Sequence, residues 1–108
     1  FDWPDALPLV DKVREELDDV LEAMASGDAA AQGEELGDLL FAVCNLARHL
    51  KVDPEQALRA ANHKFERRFR HIEQALRDAQ QDFAACSLEQ LDALWGEAKQ
   101  REKQSAGC

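Results

Sequence analysis

The chain has 108 residues with 13 basic and 22 acidic side chains, a formal charge of −9. That length suits one compact domain with a real core, and that charge argues against a nucleic-acid-binding module, because such proteins use Lys and Arg to neutralise phosphates. The longest uninterrupted apolar run, Leu39 to Cys44, falls far short of the ~20 residues a membrane span needs, and no signal-peptide pattern opens the chain.

Cys44, Cys86 and Cys108 lie far apart with no Cys-x-x-Cys pair. That pattern fits reduced thiols in a cytoplasmic protein, with Cys44 packing as a small apolar residue. The first residue is Phe1 and not methionine, which suggests a processed form or a piece of a longer chain. Charge is segregated: residues 1–38 hold 2 basic and 12 acidic side chains, residues 59–77 hold 6 basic and 2 acidic ones. One stretch is suited to cations, the other to anions.

Five glycines, three prolines, no tyrosine and abundant Ala, Leu, Glu, Gln and Arg favour helix throughout. The first predicted helix covers about 9–25, with Val13, Leu17, Val20, Leu21 and Met24 as its apolar stripe and Ser26-Gly27 as its stop. The second, capped by Asp28, covers about 29–50 and is expected to bury Leu36, Leu39, Leu40, Val43, Ala47 and Leu50. Asp53-Pro54 opens a third over about 54–78, striped by Leu58, Ala61, Phe65, Phe69, Ile72 and Leu76. Ser87 and Gln90 form a capping box for a fourth over about 88–103, carrying Leu91, Leu94, Trp95 and Ala98. Short links between amphipathic helices imply an all-α antiparallel four-helix bundle over residues 1–108.

Glu15-Glu16-Leu17-Asp18-Asp19-Val20-Leu21 and Glu34-Glu35-Leu36-Gly37-Asp38-Leu39-Leu40 repeat one heptapeptide pattern, each containing E-x-x-D. Helical geometry puts Glu16 and Asp19 on one flank of their stripe and Glu35 and Asp38 on the same-handed flank of theirs, each pair roughly 14 Å from the Gly27 turn. In an antiparallel hairpin the four carboxylates then share one side. A single such carboxylate reads most simply as solvated surface; the register-matched repeat reads as a metal platform, since four carboxylates together need a cation. An all-oxygen set selects Mg²⁺ or Mn²⁺.

Lys64, Arg68 and His71 follow i, i+4, i+7 spacing on the third helix, and Lys12 aligns with Glu16 and Asp19 on the first. Cations beside a carboxylate-held metal point to a polyphosphate, with a plain basic face as the alternative for Lys64 and Arg68. Arg67, Arg70 and Arg77 read as an exposed face with Glu66–Arg70 and Glu73–Arg77 pairs. Trp95 reads as core packing or as a ligand contact, and Trp3 as a packing anchor. Asn45 reads as an orienting group for a carboxylate or water, or as an interhelical hydrogen bond.

The carboxylate repeat, with Asn45-Leu46-Ala47-Arg48-His49-Leu50, Ala61-Asn62-His63-Lys64-Phe65-Glu66-Arg67-Arg68-Phe69 and the opening Phe1-Asp2-Trp3-Pro4, resembles MazG, an all-α nucleoside triphosphate pyrophosphohydrolase, and in particular its C-terminal domain. The resemblance implies Mg²⁺-dependent hydrolysis of a nucleoside triphosphate to monophosphate and pyrophosphate by a homodimer. It implies Glu16, Asp19, Glu35 and Asp38 as metal ligands, Lys12, Lys64 and Arg68 at the phosphates and Trp95 at the nucleotide. Water would attack the α-phosphorus, with Glu15 or a ligand carboxylate as base. The family commonly has Glu where this chain has Asp19, one methylene shorter, and relatives often carry two such domains in tandem. The competing readings are an enzyme restricted to one (deoxy)nucleotide and a helical module that binds metal or nucleotide without turnover.

Overall fold

The computed structural model describes residues 5–106. These form four α-helices, α1 Leu7–Ser26, α2 Ala29–His49, α3 Pro54–Asp78 and α4 Leu88–Ala106, with a single 3-10 turn at Phe83–Ala85. Among the described residues there is no strand, so the all-helical expectation holds and the boundaries agree to within a few residues. The Phe1–Pro4 opening, with its Trp3 anchor, and Cys108 lie outside the described residues.

The sequence signals act at the helix ends as local chemistry requires. Gly27 closes α1 in the left-handed region at φ 72°, its N–H donating to the Met24 carbonyl. Asp28 accepts from the N–H groups of Ala30 and Ala31, Asp53 from those of Glu55 and Gln56. In the capping box the Ser87 N–H donates to Gln90 Oε1 at 2.9 Å and the Gln90 N–H to Ser87 Oγ at 3.1 Å. Two other helix ends use residues that pay no heed to the glycine rule: Lys51 at φ 60° and Gln80 at φ 54°. Each follows a helix whose last carbonyls are taken by backward bonds, Val52 N–H to Ala47 and Gln81 N–H to Leu76.

The chain divides into two compact units, Phe1–Ala57 and Leu58–Cys108. The first is a helical hairpin in which α1 packs directly on α2. Its seam on α1 is Leu9, Glu16 and Ala23, all buried and seven residues apart; α2 contributes buried Ala42 and half-buried Ala31, Glu35, Leu39 and Leu46. Most of the large apolar residues of the expected stripes stand elsewhere. Leu17, Leu21 and Met24 of α1 and Leu36, Leu40, Val43 and Leu50 of α2 are exposed, Leu40 at 59%, and so is Cys44.

This corrects the expectation that α2 buries Leu36, Leu40, Val43 and Leu50 and that Cys44 packs inside. The reason is geometric. Two helices joined by Gly27 and Asp28 close on a narrow seam where Ala23 and Ala42 permit close approach. Side chains about 100° away around the helix do not reach the neighbour.

In the second unit the buried residues are Ile72, Leu76 and Ala98. An aromatic row runs beside them: Trp95 to Phe65 at 5.5 Å, Phe65 to Phe69 at 5.9 Å and Phe69 to Phe83 at 5.6 Å between ring centroids. The expected α3 stripe is therefore buried only toward its C-terminal end, with Leu58 and Phe65 exposed.

The backbone at the turns makes a stability prediction. Gly27→Ala should lower stability by about 1 kcal/mol and Gln80→Gly should raise it by about 0.5 kcal/mol, since a Cβ costs roughly 1–2 kcal/mol in the left-handed region and glycine returns part of that as lost chain entropy. Urea unfolding followed by circular dichroism measures both signs.

Candidate functional site

In the first unit the repeat brings its carboxylates to the hairpin seam itself. Glu16 of α1 and Glu35 and Asp38 of α2 place carboxylate oxygens within 4.8 Å of one another. Residues at matching distances from Gly27 meet because the chain reverses there, as the register of the two heptapeptides predicts. Glu16 is 9% exposed, a rare position for a carboxylate without a partner. Its partner is Lys12, one turn earlier, with Nζ at 3.1 Å from Glu16 Oε1 and 3.6 Å from Glu15 Oε1. Asp19, the fourth expected ligand, is outside that trio; it lines an adjoining cleft of about 280 Å³ with Glu22, Ala23, Ser26, Ala31 and Glu35.

The electrostatics follow from this crowding. Loss of hydration, and then the charges of Glu16, Glu15 and Glu22, push Asp19 above the ordinary carboxylate range. Glu35 is pushed up in the same way, first by lost hydration and then by Asp19, Asp38, Glu34 and Glu16. Lys12 is raised by its hydrogen bond to Glu16 and by the fields of Glu15 and Glu16. Like charges brought together disfavour ionisation, and a cation among them reverses the effect. The donors are all carboxylate oxygen, three converge on one point, and one lysine does not neutralise them. That set fits a hard divalent cation.

Other expected residues of this unit take plainer parts. Glu15 is exposed and shares Lys12 with Glu16. Asn45 Oδ1 accepts from Arg48 Nε and a terminal guanidinium nitrogen, both at 3.3 Å.

Lys64, Arg68 and Trp95 belong to the second unit. Lys64 is exposed. Arg68 forks onto Glu102, Nε to Oε1 at 3.1 Å and the second nitrogen to Oε2 at 3.3 Å, and its guanidinium carbon lies 5.2 Å from the Trp95 ring centroid. Trp95 thus has Phe65 and Arg68 as neighbours. His71 Nε2 approaches Glu97 Oε1 at 3.4 Å. Arg70 reaches Glu66 at 4.0 Å as expected, whereas Arg77 donates to Gln74 Oε1 at 2.7 Å in place of the expected Glu73. Glu97 and Glu102 were not singled out by the sequence reading, although Trp95, Ala98 and Glu102 recur at helical spacing on one face of α4.

Residues 6–73 match the family model described as the MazG nucleotide pyrophosphohydrolase domain. The chain belongs to the MazG family. It is 47% identical over 104 residues to the nucleoside triphosphate pyrophosphohydrolase of Escherichia coli K12, an alignment covering 94% of this chain and 40% of that one. It is 41% identical over 99 residues to the nucleoside triphosphate pyrophosphohydrolase/pyrophosphatase MazG of Thermotoga maritima, covering 92% of this chain and 38% of that one. A Bacillus subtilis protein named as uncharacterized YabN is 48% identical over 71 residues, 66% of this chain and 14% of its own. The chain therefore spans about two fifths of the length of the first relatives it matches. The MazG match takes in all four repeat carboxylates, Lys12, Lys64 and Arg68; Trp95, Glu97 and Glu102 lie beyond it.

Arg68 holds the Glu102 carboxyl below its ordinary range, chiefly by its hydrogen bonds and then by its charge, with Arg67 and Lys64 adding to the effect. A carboxyl whose pKa is lower folded than unfolded contributes stability above its unfolded pKa and loses it as pH falls through the folded one. Glu102→Gln should therefore be less stable than the parent at pH 7, and the difference should shrink as pH falls through the acid range in which the folded Glu102 takes up its proton. Thermal unfolding across that pH range checks the sign.

Proposed function

We propose that this MazG-family chain hydrolyses nucleoside triphosphates to nucleoside monophosphate and pyrophosphate, with Mg²⁺ as its metal and Mn²⁺ as a substitute. The observation that carries this reading is the meeting of Glu16, Glu35 and Asp38 from two copies of one acidic heptapeptide, in a chain similar to proteins named for that reaction. Glu16, Glu35 and Asp38 would hold the metal, with Asp19 as the fourth ligand. When bound, the metal supplies Lewis-acid polarisation of phosphate oxygen and acidification of water.

The residues around it have their own work. Lys12 holds Glu16 in position on the seam by its 3.1 Å contact. Glu15, exposed beside Lys12, takes the proton of the water that attacks the α-phosphorus, and the bond to the pyrophosphate leaving group breaks. Lys64 and Arg68 balance charge on the phosphates, and Trp95 holds the nucleotide, following the family resemblance. This all-helical chain acts in the cytoplasm. Among the described residues no helix is long and apolar enough to cross a membrane.

The bundle works as a homodimer. Support comes from the uncovered apolar face of the hairpin, where Leu17, Leu21, Leu36 and Leu40 are exposed, Leu40 at 59%. Apolar surface gathered in this way marks an association surface.

Two measurements test the reading. Release of pyrophosphate and nucleoside monophosphate from a panel of triphosphates should require Mg²⁺ and stop in EDTA. Glu35→Gln and Asp38→Asn should each lower turnover by more than about 100-fold, beyond the loss typical of residues that merely support a metal ligand, with helicity retained. Unchanged turnover in both variants sinks the metal assignment, and nucleotide binding without turnover favours the non-catalytic module. Sedimentation at micromolar concentration should give the mass of two chains, reduced to one by Leu40→Glu; a single-chain mass for the parent contradicts the dimer.

A further inference from the structure

α4 takes hold of Arg68 through two residues seven positions apart. Glu102 accepts from Arg68 Nε at 3.1 Å and from one terminal nitrogen at 3.3 Å. Trp95, two turns earlier on the same face of α4, has its ring centroid 5.2 Å from the guanidinium carbon and is itself seated on Phe65 of α3 at 5.5 Å. The pair is sheltered, with the Arg68 side chain 15% and the Glu102 side chain 32% exposed. By contrast, the Lys12–Glu15 and Arg14–Asp11 pairs of α1 join side chains that are all at least half exposed. Pairs of that exposed kind do little to fix a side chain, whereas a two-point fork sets the plane of the guanidinium.

The fork takes only one edge of that group. Arginine has five N–H donors, and Glu102 engages one on Nε and one on a terminal nitrogen, so three lie outside the fork. Charge is left over as well, since Lys64, Arg67 and Arg68 all lie close enough to act on Glu102, three cations to one carboxylate. A long side chain that must be ordered when its ligand arrives subtracts that ordering from the affinity. A guanidinium already set in place with donors to spare does not.

We propose that Glu102 is a positioning residue for Arg68: it fixes the guanidinium by one edge, beside the Trp95 ring, so that the remaining donors meet the substrate's phosphates already ordered. This rests on the reading of Arg68 as a phosphate contact, and it adds a residue beyond the MazG match of residues 6–73. The sign of the effect separates it from simpler roles. Removing a carboxylate from beside phosphate-binding cations strengthens anion binding by Coulomb's law, and a pair that merely ties α3 to α4 leaves the affinity of the folded protein unchanged. Positioning predicts weaker binding.

The test is calorimetric titration of α,β-methylene analogues of nucleoside triphosphates, in which the bond to be broken is replaced, into the intact chain with Mg²⁺ at pH 7. Glu102→Gln, of the same shape but with one acceptor oxygen, should weaken binding roughly fivefold, within the range for ordering one long side chain on association. Arg68→Ala should weaken it by more than about tenfold, as loss of a charged hydrogen-bonding group does, and adding Glu102→Gln to Arg68→Ala should weaken it no further. Unchanged or tighter binding by Glu102→Gln overturns the proposal, as does equal weakening in the absence of Arg68. Circular dichroism at the titration temperature checks folding; should Glu102→Gln be unfolded there, Glu102→Asp, which keeps the charge but is one methylene shorter, should weaken binding in the same sense. Because the analogues are not cleaved, binding is read apart from turnover. A parent that shows this pattern but releases no pyrophosphate from triphosphates counts against hydrolysis alone. One that hydrolyses them with a KM unmoved by Glu102→Gln counts against positioning alone. Failure of the parent to bind any analogue overturns the proposal and leaves the hydrolysis assay to judge the catalytic reading.

Discussion

Three carboxylates forced together on the seam of a two-helix hairpin are the constraint to which the first unit is built. Glu16 occupies a position that, by its seven-residue spacing from Leu9 and Ala23, would ordinarily hold an apolar residue. Placing a carboxylate there gives up hydrophobic contact and brings it against Glu35 and Asp38. The arrangement persists because Lys12 neutralises part of the charge from one turn away and because the helix ends at Gly27, Asp28 and Asp53 are closed by local bonds that do not depend on the seam. Lost hydration and the neighbouring acids push Asp19 and Glu35 above their ordinary values.

The second unit answers the opposite electrostatic need. Residues 58–108 contain 9 basic and 8 acidic side chains, against 4 and 14 in residues 1–57. Its basic groups are sorted by partner. Arg68 is fixed by a two-point bond to Glu102 and lies over Trp95, which sets it in one place at the cost of part of its charge. Arg67 and Arg101 keep theirs. A family resemblance that assigns phosphate contacts to Lys64 and Arg68 does not distinguish these roles, since the distinction depends on α4, all of which follows the matched residues 6–73.

Much of the local structure was legible because it depends on neighbours in the chain. Ser26-Gly27-Asp28, Asp53-Pro54 and the Ser87–Gln90 box each act over three or four residues, and each bond they imply is present. The meeting of Glu16, Glu35 and Asp38 was legible for a related reason: a two-residue turn makes register a matter of counting. Asp19 shows the limit of counting, since it shares a helix flank with Glu16 and yet its carboxylate is outside the trio. Its shorter side chain and its place nearer the turn put it in the adjoining cleft.

Helix boundaries, caps, the acidic repeat and the family were therefore determined by the sequence itself, because each is a property of a few adjacent residues or of one repeat spacing. Which face of each helix is covered was decided by tertiary structure. Periodicity marks Leu17, Leu21, Leu36 and Leu40 as one apolar surface but cannot say what lies against it, and the hairpin closes on Ala23, Ala42 and the carboxylates, leaving that surface open. The pairings of Arg68 with Glu102 and of His71 with Glu97 were decided in the same way. Residues 34 and 26 positions apart in the chain meet only when helix packing sets their distance, and no local pattern encodes it.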